Sequence, residues 1–153
     1  MEFPRSLRRL PQSERNLMNW LIAAWFAVPA PILEAVEQME SGGHWDVQSP
    51  AGCVGLMQVH PQWSKVPKLL LWAPPLNRAE GARILAYWHA KSGGNWPRAL
   101  AAYNCGWGGL SGRCGAGYAA AVMRALPPAT RGTQPTATRK RQHHLPPLRF
   151  WRR

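Results

Sequence analysis

Residues 31–42 read P-I-L-E-A-V-E-Q-M-E-S-G, and the placing of their three glutamates decides how the chain is understood. Successive residues of a helix turn by about 100°, so with Ile32 at zero Val36 lies near 40° and Met39 near 340°. On the same wheel Glu40 lies at about 80°, between Val36 and Leu33, whereas Glu37 lies near 140° and Glu34 near 200°. Glu40 therefore shares the apolar arc, Glu37 sits on its edge and Glu34 faces away. A carboxyl group in apolar surroundings ionises reluctantly. A proton held to near-neutral pH is what a general acid needs. A glutamate at a wetted helix end is the plainer reading of Glu40 taken alone. The chain has seven Asp and Glu among 153 residues, so few other carboxylates compete for the role.

Motifs follow this helix in a fixed order. Ser41-Gly42-Gly43 stop it, and a turn-rich loop over 44–54 leads to G-L-M-Q at Gly55 to Gln58, with a short helical turn predicted over Gly55–Val59 that Pro61 ends. Residues 63–76, with Pro67, Pro74 and Pro75, read as irregular. Asn77 with Glu80 three residues on has the form of a capping box opening a helix over 78–91, with Ala82, Leu85, Ala86 and His89 on one face. Asn95 caps a further helix with Pro97 just inside it, running to about Tyr103 in A-L-A-A-Y-N (Ala99 to Asn104). A Gly-rich stretch over 106–117 precedes a last helix from Tyr118 to Leu126.

The ends differ from this middle. Residues 1–13 form a basic, Pro-bearing segment expected to be flexible. The apolar stretch 17–28, behind several Arg, has the outline of a signal peptide, with V-P-A at 28–30 resembling a cleavage site. Asn19 and the Trp residues suit a packed first core helix better, and the stretch is too short to span a membrane. Residues 127–153 hold seven Lys or Arg and no acid, lack periodicity, and read as a disordered Pro/Arg-rich basic tail. The expected organisation is one domain over 14–126 between these two segments.

The net charge of +12 favours anionic partners such as nucleic acid, acidic lipid or envelope polyanions. The L-R-F-W-R-R ending could touch a membrane surface, or simply be soluble. No helix-turn-helix or zinc-finger spacing is present, so specific nucleic-acid binding is not expected. Nine Trp against three Tyr and three Phe suit a carbohydrate groove, where indole faces stack on sugars, although most serve as core. Cys105 and Cys114 flank C-G-W-G-G-L-S-G-R-C and could be bridged in an oxidising compartment or remain reduced beside Cys53. The five His (His44, His60, His89, His143 and His144) show no ligand spacing with Cys or acids, so neither metal nor cofactor is expected.

Taken together, E-S-G, S-P-A-G-x-x-G-L-M-Q, P-x-x-N-x-x-x-G-A-x-x-L-A-Y and A-L-A-A-Y-N resemble the soluble lytic transglycosylase catalytic domain over roughly residues 20–126. The resemblance implies a mainly α, lysozyme-like (α+β) fold, compact and helical, with a substrate cleft. It implies cleavage of the β-1,4 bond between N-acetylmuramic acid and N-acetylglucosamine in peptidoglycan, giving a 1,6-anhydro product without water. By the match Glu40 takes the place of the single catalytic acid/base. Ser41, Gly55, Leu56, Met57, Gln58, Tyr103, Asn104 and Tyr118 take places that hold substrate or line the cleft, with Tyr103 near the Glu carboxyl. Trp45 lies where the family pattern usually has another run of residues, and could stack on a sugar. The implied partner is the glycan strand, the implied setting the bacterial cell wall (periplasm or extracellular space), and the expected state a monomer. The absence of a convincing export signal and the cationic tail point to a phage lysis protein or one delivered by a secretion apparatus. Two alternatives remain: a goose-type lysozyme reaction, a hydrolytic muramidase in which Asp46 positions water, and a non-catalytic basic binder of envelope polyanions or nucleic acid.

Overall fold

The computed structural model describes residues 26–128. The expectations for segment 1–13, for most of the apolar stretch 17–28 and for nearly all of the tail 127–153 lie outside the described residues. Among the described residues five helices carry the fold: α1 (Ala30–Ser41), α2 (Pro74–Lys91), α3 (Trp96–Cys105), α4 (Trp107–Leu110) and α5 (Ala116–Ala125). Two 3-10 segments, Pro61–Trp63 and Lys68–Trp72, join α1 to α2. Among the described residues the only β pairing is in isolated bridges, Gln48 with Val54 and Val54 with Val59. The mainly α reading holds, and no described helix is long and apolar enough to cross a membrane.

Local chemistry sets most of the ends. Pro31 suits the first turn of α1, and Gly42 ends that helix at φ 62°, its N–H bonding Gln38 O at 3.1 Å. Asn95 Oδ1 accepts the Arg98 N–H at 2.9 Å and caps α3, as its sequence position predicts. Helix α3 is the hub, packing against α2, α4 and α5, while α1 packs on α5. The shared core holds Leu33, Val36, Leu56, Leu85, Leu100 and Val122, all fully buried. The Cys105–Cys114 disulfide is formed and Cys53 is a free thiol. Closing a loop of this length stabilises a fold by about 2–3 kcal/mol in the chain-entropy picture.

Several expectations need correction. Asn77 is no cap: α2 begins earlier, at Pro74, because the paired prolines fit its first turn, and Asn77 is a fully buried residue inside the helix. Its Oδ1 accepts the Met57 N–H at 2.8 Å, and its Nδ2 donates to Val54 O at 2.7 Å and Leu71 O at 2.9 Å. Glu80, expected to close the capping box, instead accepts from Arg83 and from the Lys65 N–H at 2.7 Å. Gly55–Val59 is not a helical turn. Val54 and Val59 exchange both backbone bonds at 3.0 Å, and Gly55 (φ 75°) and Gln58 (φ 46°) are left-handed. A Cβ at Gly55 would meet Asn77 Nδ2 at 2.5 Å. The stretch 63–76 contains a 3-10 segment, and the Gly-rich stretch contains α4, with α5 starting at Ala116.

On α1 the wheel erred at two positions. Met39 is 43% exposed, and Glu37 is buried rather than at an edge. The Glu37 carboxylate forms a bidentate pair with Arg78 of α2: Nε reaches Oε1 and Nη2 reaches Oε2 at 3.2 Å. This pair ties α1 to α2 through the interior. Removing one partner leaves a buried charge alone, which costs about 3–5 kcal/mol, whereas replacing both by apolar groups is often nearly neutral. Arg78→Met is therefore expected to lower the unfolding free energy in urea by roughly 3–5 kcal/mol. Arg78→Met with Glu37→Leu should recover most of that loss. Equal stability of the wild type and the single variant would contradict a charged, interior pair.

Candidate active site

Glu40 occupies the last turn of α1, half-buried. Tyr118, in the first turn of α5, donates its hydroxyl to Glu40 Oε1 at 2.6 Å. The two residues are 78 positions apart, and the packing of α1 on α5 brings them together. Burial raises the pKa of Glu40 above the ordinary carboxyl value, and the Tyr118 hydrogen bond offsets part of that rise. Tyr118 is driven in the same protonated direction, by burial first and then by the charge of Glu40. Its hydroxyl thus stays a donor across the working pH range.

Tyr103 is buried in α3 and sends its O–H to the carbonyl of Met57 at 2.7 Å. Burial, followed by the charges of Glu40, Cys53 and Glu37, holds its pKa well above that of a free phenol. Tyr103 thus lies within the field of Glu40, yet its proton is committed to Met57. The tyrosine that touches the acid is Tyr118.

The G-L-M-Q segment shapes the site chiefly through its backbone. Leu56 and Met57 are fully buried, so neither side chain lies open at the surface. Met57 instead packs on α2 at Gly81, where an added Cβ would come within 2.4 Å of Sδ. Its peptide is clamped at both ends, by Asn77 at the N–H and by Tyr103 at the C=O. Gln58 follows directly. Its Nε2 donates to Gly55 O at 2.9 Å and Val47 O at 3.3 Å, which fixes the amide orientation and leaves Oε1 as the end available to accept.

The remaining expected residues divide. Ser41 Oγ donates to Glu37 O and accepts the Gly43 N–H, both at 3.2 Å, so it serves the end of α1. Trp45 is half-buried against the core, and Asn104 is exposed at the end of α3. Asn77, Glu37 and Arg78 support the site and were not anticipated from sequence. The available signal was Glu37 itself, since an acid bordering an apolar arc needs a cation to accompany it inward. Among the described residues no three His, Cys, Asp or Glu side chains group as they would around a metal ion.

Among the described residues, five helices with almost no strand around a half-buried glutamate define a lysozyme-like domain. The chain matches the model of the Transglycosylase SLT domain over residues 21–118, and it belongs to that family. Its fold is shared with the 70 kDa soluble lytic transglycosylase Slt70 of Escherichia coli, at a TM-score of 0.60 and 23% identity over 76% of this chain and 21% of that one. The complex of the 70-kDa soluble lytic transglycosylase with bulgecin A gives 0.59 and 25%, over 78% and 22%. An inactive mutant of the lytic transglycosylase Slt from Pseudomonas aeruginosa gives 0.57 and 22%, over 79% and 22%. The chain thus spans about a fifth of the length of each of these proteins.

Tyr118→Phe removes the one hydrogen bond that favours ionised Glu40 and leaves burial unopposed. The Glu40 carboxyl should therefore titrate at higher pH in the variant than in the wild type, read by isotope-edited NMR of the carboxyl carbon. A midpoint that stays put or falls would contradict the assignment of Tyr118 as the donor.

Proposed function

We propose that this chain is a peptidoglycan lytic transglycosylase that cleaves the N-acetylmuramic acid β-1,4 N-acetylglucosamine bond and leaves 1,6-anhydro ends, with Glu40 as its single acid/base. The observation that carries this reading is the 2.6 Å contact from Tyr118 to Glu40 Oε1 on a half-buried carboxyl. With Oε1 accepting from Tyr118, the proton of the neutral acid belongs on Oε2. Oε2 gives it to the leaving glycosidic oxygen. The 2-acetamido oxygen of the muramic sugar attacks its own anomeric carbon, as in substrate-assisted glycosidases, so no enzyme nucleophile is required. The Glu40 carboxylate then takes the proton of the C6 hydroxyl as the C6 oxygen bonds to the anomeric carbon and the acetamido oxygen leaves it, which closes the anhydro ring. The charge on Glu40 strengthens the Tyr118 bond midway, since hydrogen bonds to ionised acceptors are the stronger kind.

The supply of other carboxylates supports this economy. Glu37 is taken by Arg78, and Glu80 by Arg83 and the Lys65 amide. Glu34 faces away from Glu40 by helical period, which leaves Asp46 as the acid close in sequence through which a hydrolytic, goose-type outcome would run. Gln58 Oε1, exposed Asn104 and Trp45 are the groups this reading assigns to sugar contact, with Ser41, Gly55, Leu56, Met57 and Tyr103 shaping the wall behind them. The substrate places the enzyme's work at the bacterial cell wall, in the periplasm or outside the cell.

Purified peptidoglycan digested with the protein should release muropeptides one water lighter than hydrolytic products, by mass spectrometry. Glu40→Gln should lower that release by at least about 100-fold, the lower range for loss of general acid–base catalysis. Products of hydrolytic mass would replace this reading by the muramidase one. Attachment to peptidoglycan with no release from wild type or variant would replace it by the binder.

A further inference from the structure

The stretch from Trp63 to Leu76, which holds the second 3-10 segment, carries the two most exposed large apolar side chains among the described residues. Leu69 is 80% exposed and Leu70 44%, and Trp63 and Leu76 stand above one third. The segment is anchored, not loose. Arg83 Nη2 donates to Trp63 O at 2.7 Å, and the Lys65 N–H donates to Glu80 Oε2 at 2.7 Å. Leu76, Glu80 and Arg83 recur at helical spacing along one face of α2, so the anchored loop and that face form one surface. The Leu70 carbonyl, accepting from the Ala73 N–H at 3.1 Å, continues it into the start of α2.

The charge on this surface has one sign. Lys65 and Lys68 are exposed. After Asp46 the sequence has a single acid, Glu80, and its carboxylate is occupied by Arg83 and the Lys65 amide. A polyanion such as nucleic acid would match the lysines but give protruding leucines nothing to enter. A protein groove would match leucines without requiring the cations. An anionic bilayer surface matches both, because apolar tips enter the acyl boundary while lysines meet the headgroups, and Trp favours that depth.

We propose that Leu69 and Leu70, flanked by Trp63, Leu76, Lys65 and Lys68, form a docking surface for an anionic lipid bilayer. The proposal does not depend on the reaction assigned to Glu40. The surface also differs from the basic tail, which every protein in the following test retains.

The full chain is sedimented with vesicles of phosphatidylcholine alone or mixed with phosphatidylglycerol, at low and high ionic strength. Wild type is expected to bind the mixed vesicles and to keep part of that binding in high salt. Leu69→Ser with Leu70→Ser should remove the salt-resistant part and lower partition about tenfold or more. Lys65→Gln with Lys68→Gln should weaken low-salt binding by about fivefold per lysine and leave the salt-resistant part. Leu69→Ser alone, at so exposed a position, keeps the test open if the double variant folds poorly. Partition of both variants equal to wild type would overturn the proposal, as would a wild type that ignores mixed vesicles. A concentration-dependent dimer that the leucine variant abolishes, with vesicle partition unchanged, would overturn it in favour of a contact between two copies of this chain.

Discussion

Glu40 is held by two opposed forces, and the rest of the site is arranged around their balance. Burial at the end of α1 favours the neutral acid, and the Tyr118 hydroxyl favours the carboxylate. A glutamate in water would lose its proton well below neutral pH. One sealed in apolar packing with no donor would hold its proton too firmly to give it up readily. The pairing of a dry wall with a single strong donor lets one carboxyl group occupy both states in turn. The donor comes from α5, so the balance at Glu40 depends on the packing of α1 against α5 rather than on any local motif.

That packing is referenced to α2 by polar contacts inside the core. Glu37 sits one turn before Glu40, so its pairing with Arg78 fixes the level and rotation of the helix that carries the acid. Rotation of α1 by a single residue would swing both carboxylates by about 100° and remove each from its partner. One position before Arg78 on α2, Asn77 holds the left-handed turn before Gln58 by two hydrogen bonds and ties it to Leu71 O by a third, and Tyr103 holds the same turn from α3. A buried amide can secure a turn because it donates and accepts at fixed angles, which no apolar side chain can do. It is retained where each of its bonds has a partner, since unmade ones would be costly.

The sequence showed what is set locally. The α1 helix, expected over 31–41, lies at Ala30–Ser41, and the Asn95 cap lies where its spacing put it. Glu40 stood out because helical period and apolar neighbours are both local facts. The errors share one cause. Asn77 has the spacing of a capping box, but its side chain is claimed by a turn more than twenty positions earlier. Glu37 has the wheel angle of a boundary residue, and a cation 41 positions away draws it inward. Tyr103 and Tyr118 were both expected at the site, and only the tertiary contact shows which of them donates to the acid. Met57 has the motif position of a cleft residue but the surroundings of a core one, because Gly81 leaves it space against α2. Long-range partners decided each case, and no window of sequence contains them.

The disulfide has a consequence that its loop-closure energy alone does not capture. Tyr103 lies two residues before Cys105, and Tyr118 four after Cys114, so the bridge closes the segment that separates the two tyrosines. Within that segment α4 packs so tightly on α3 that a Cβ at Gly109 would fall 2.1 Å from Ala101 O. The close approach and the covalent link act on the same degree of freedom, the displacement of the start of α5 from the end of α3. Tyr118 rides on that start, and a shift of 1 Å would take its hydroxyl from 2.6 Å beyond hydrogen-bond reach of Glu40. A bridge of this kind persists in oxidising compartments. The covalent brace therefore serves the donor's position as much as the stability of the fold.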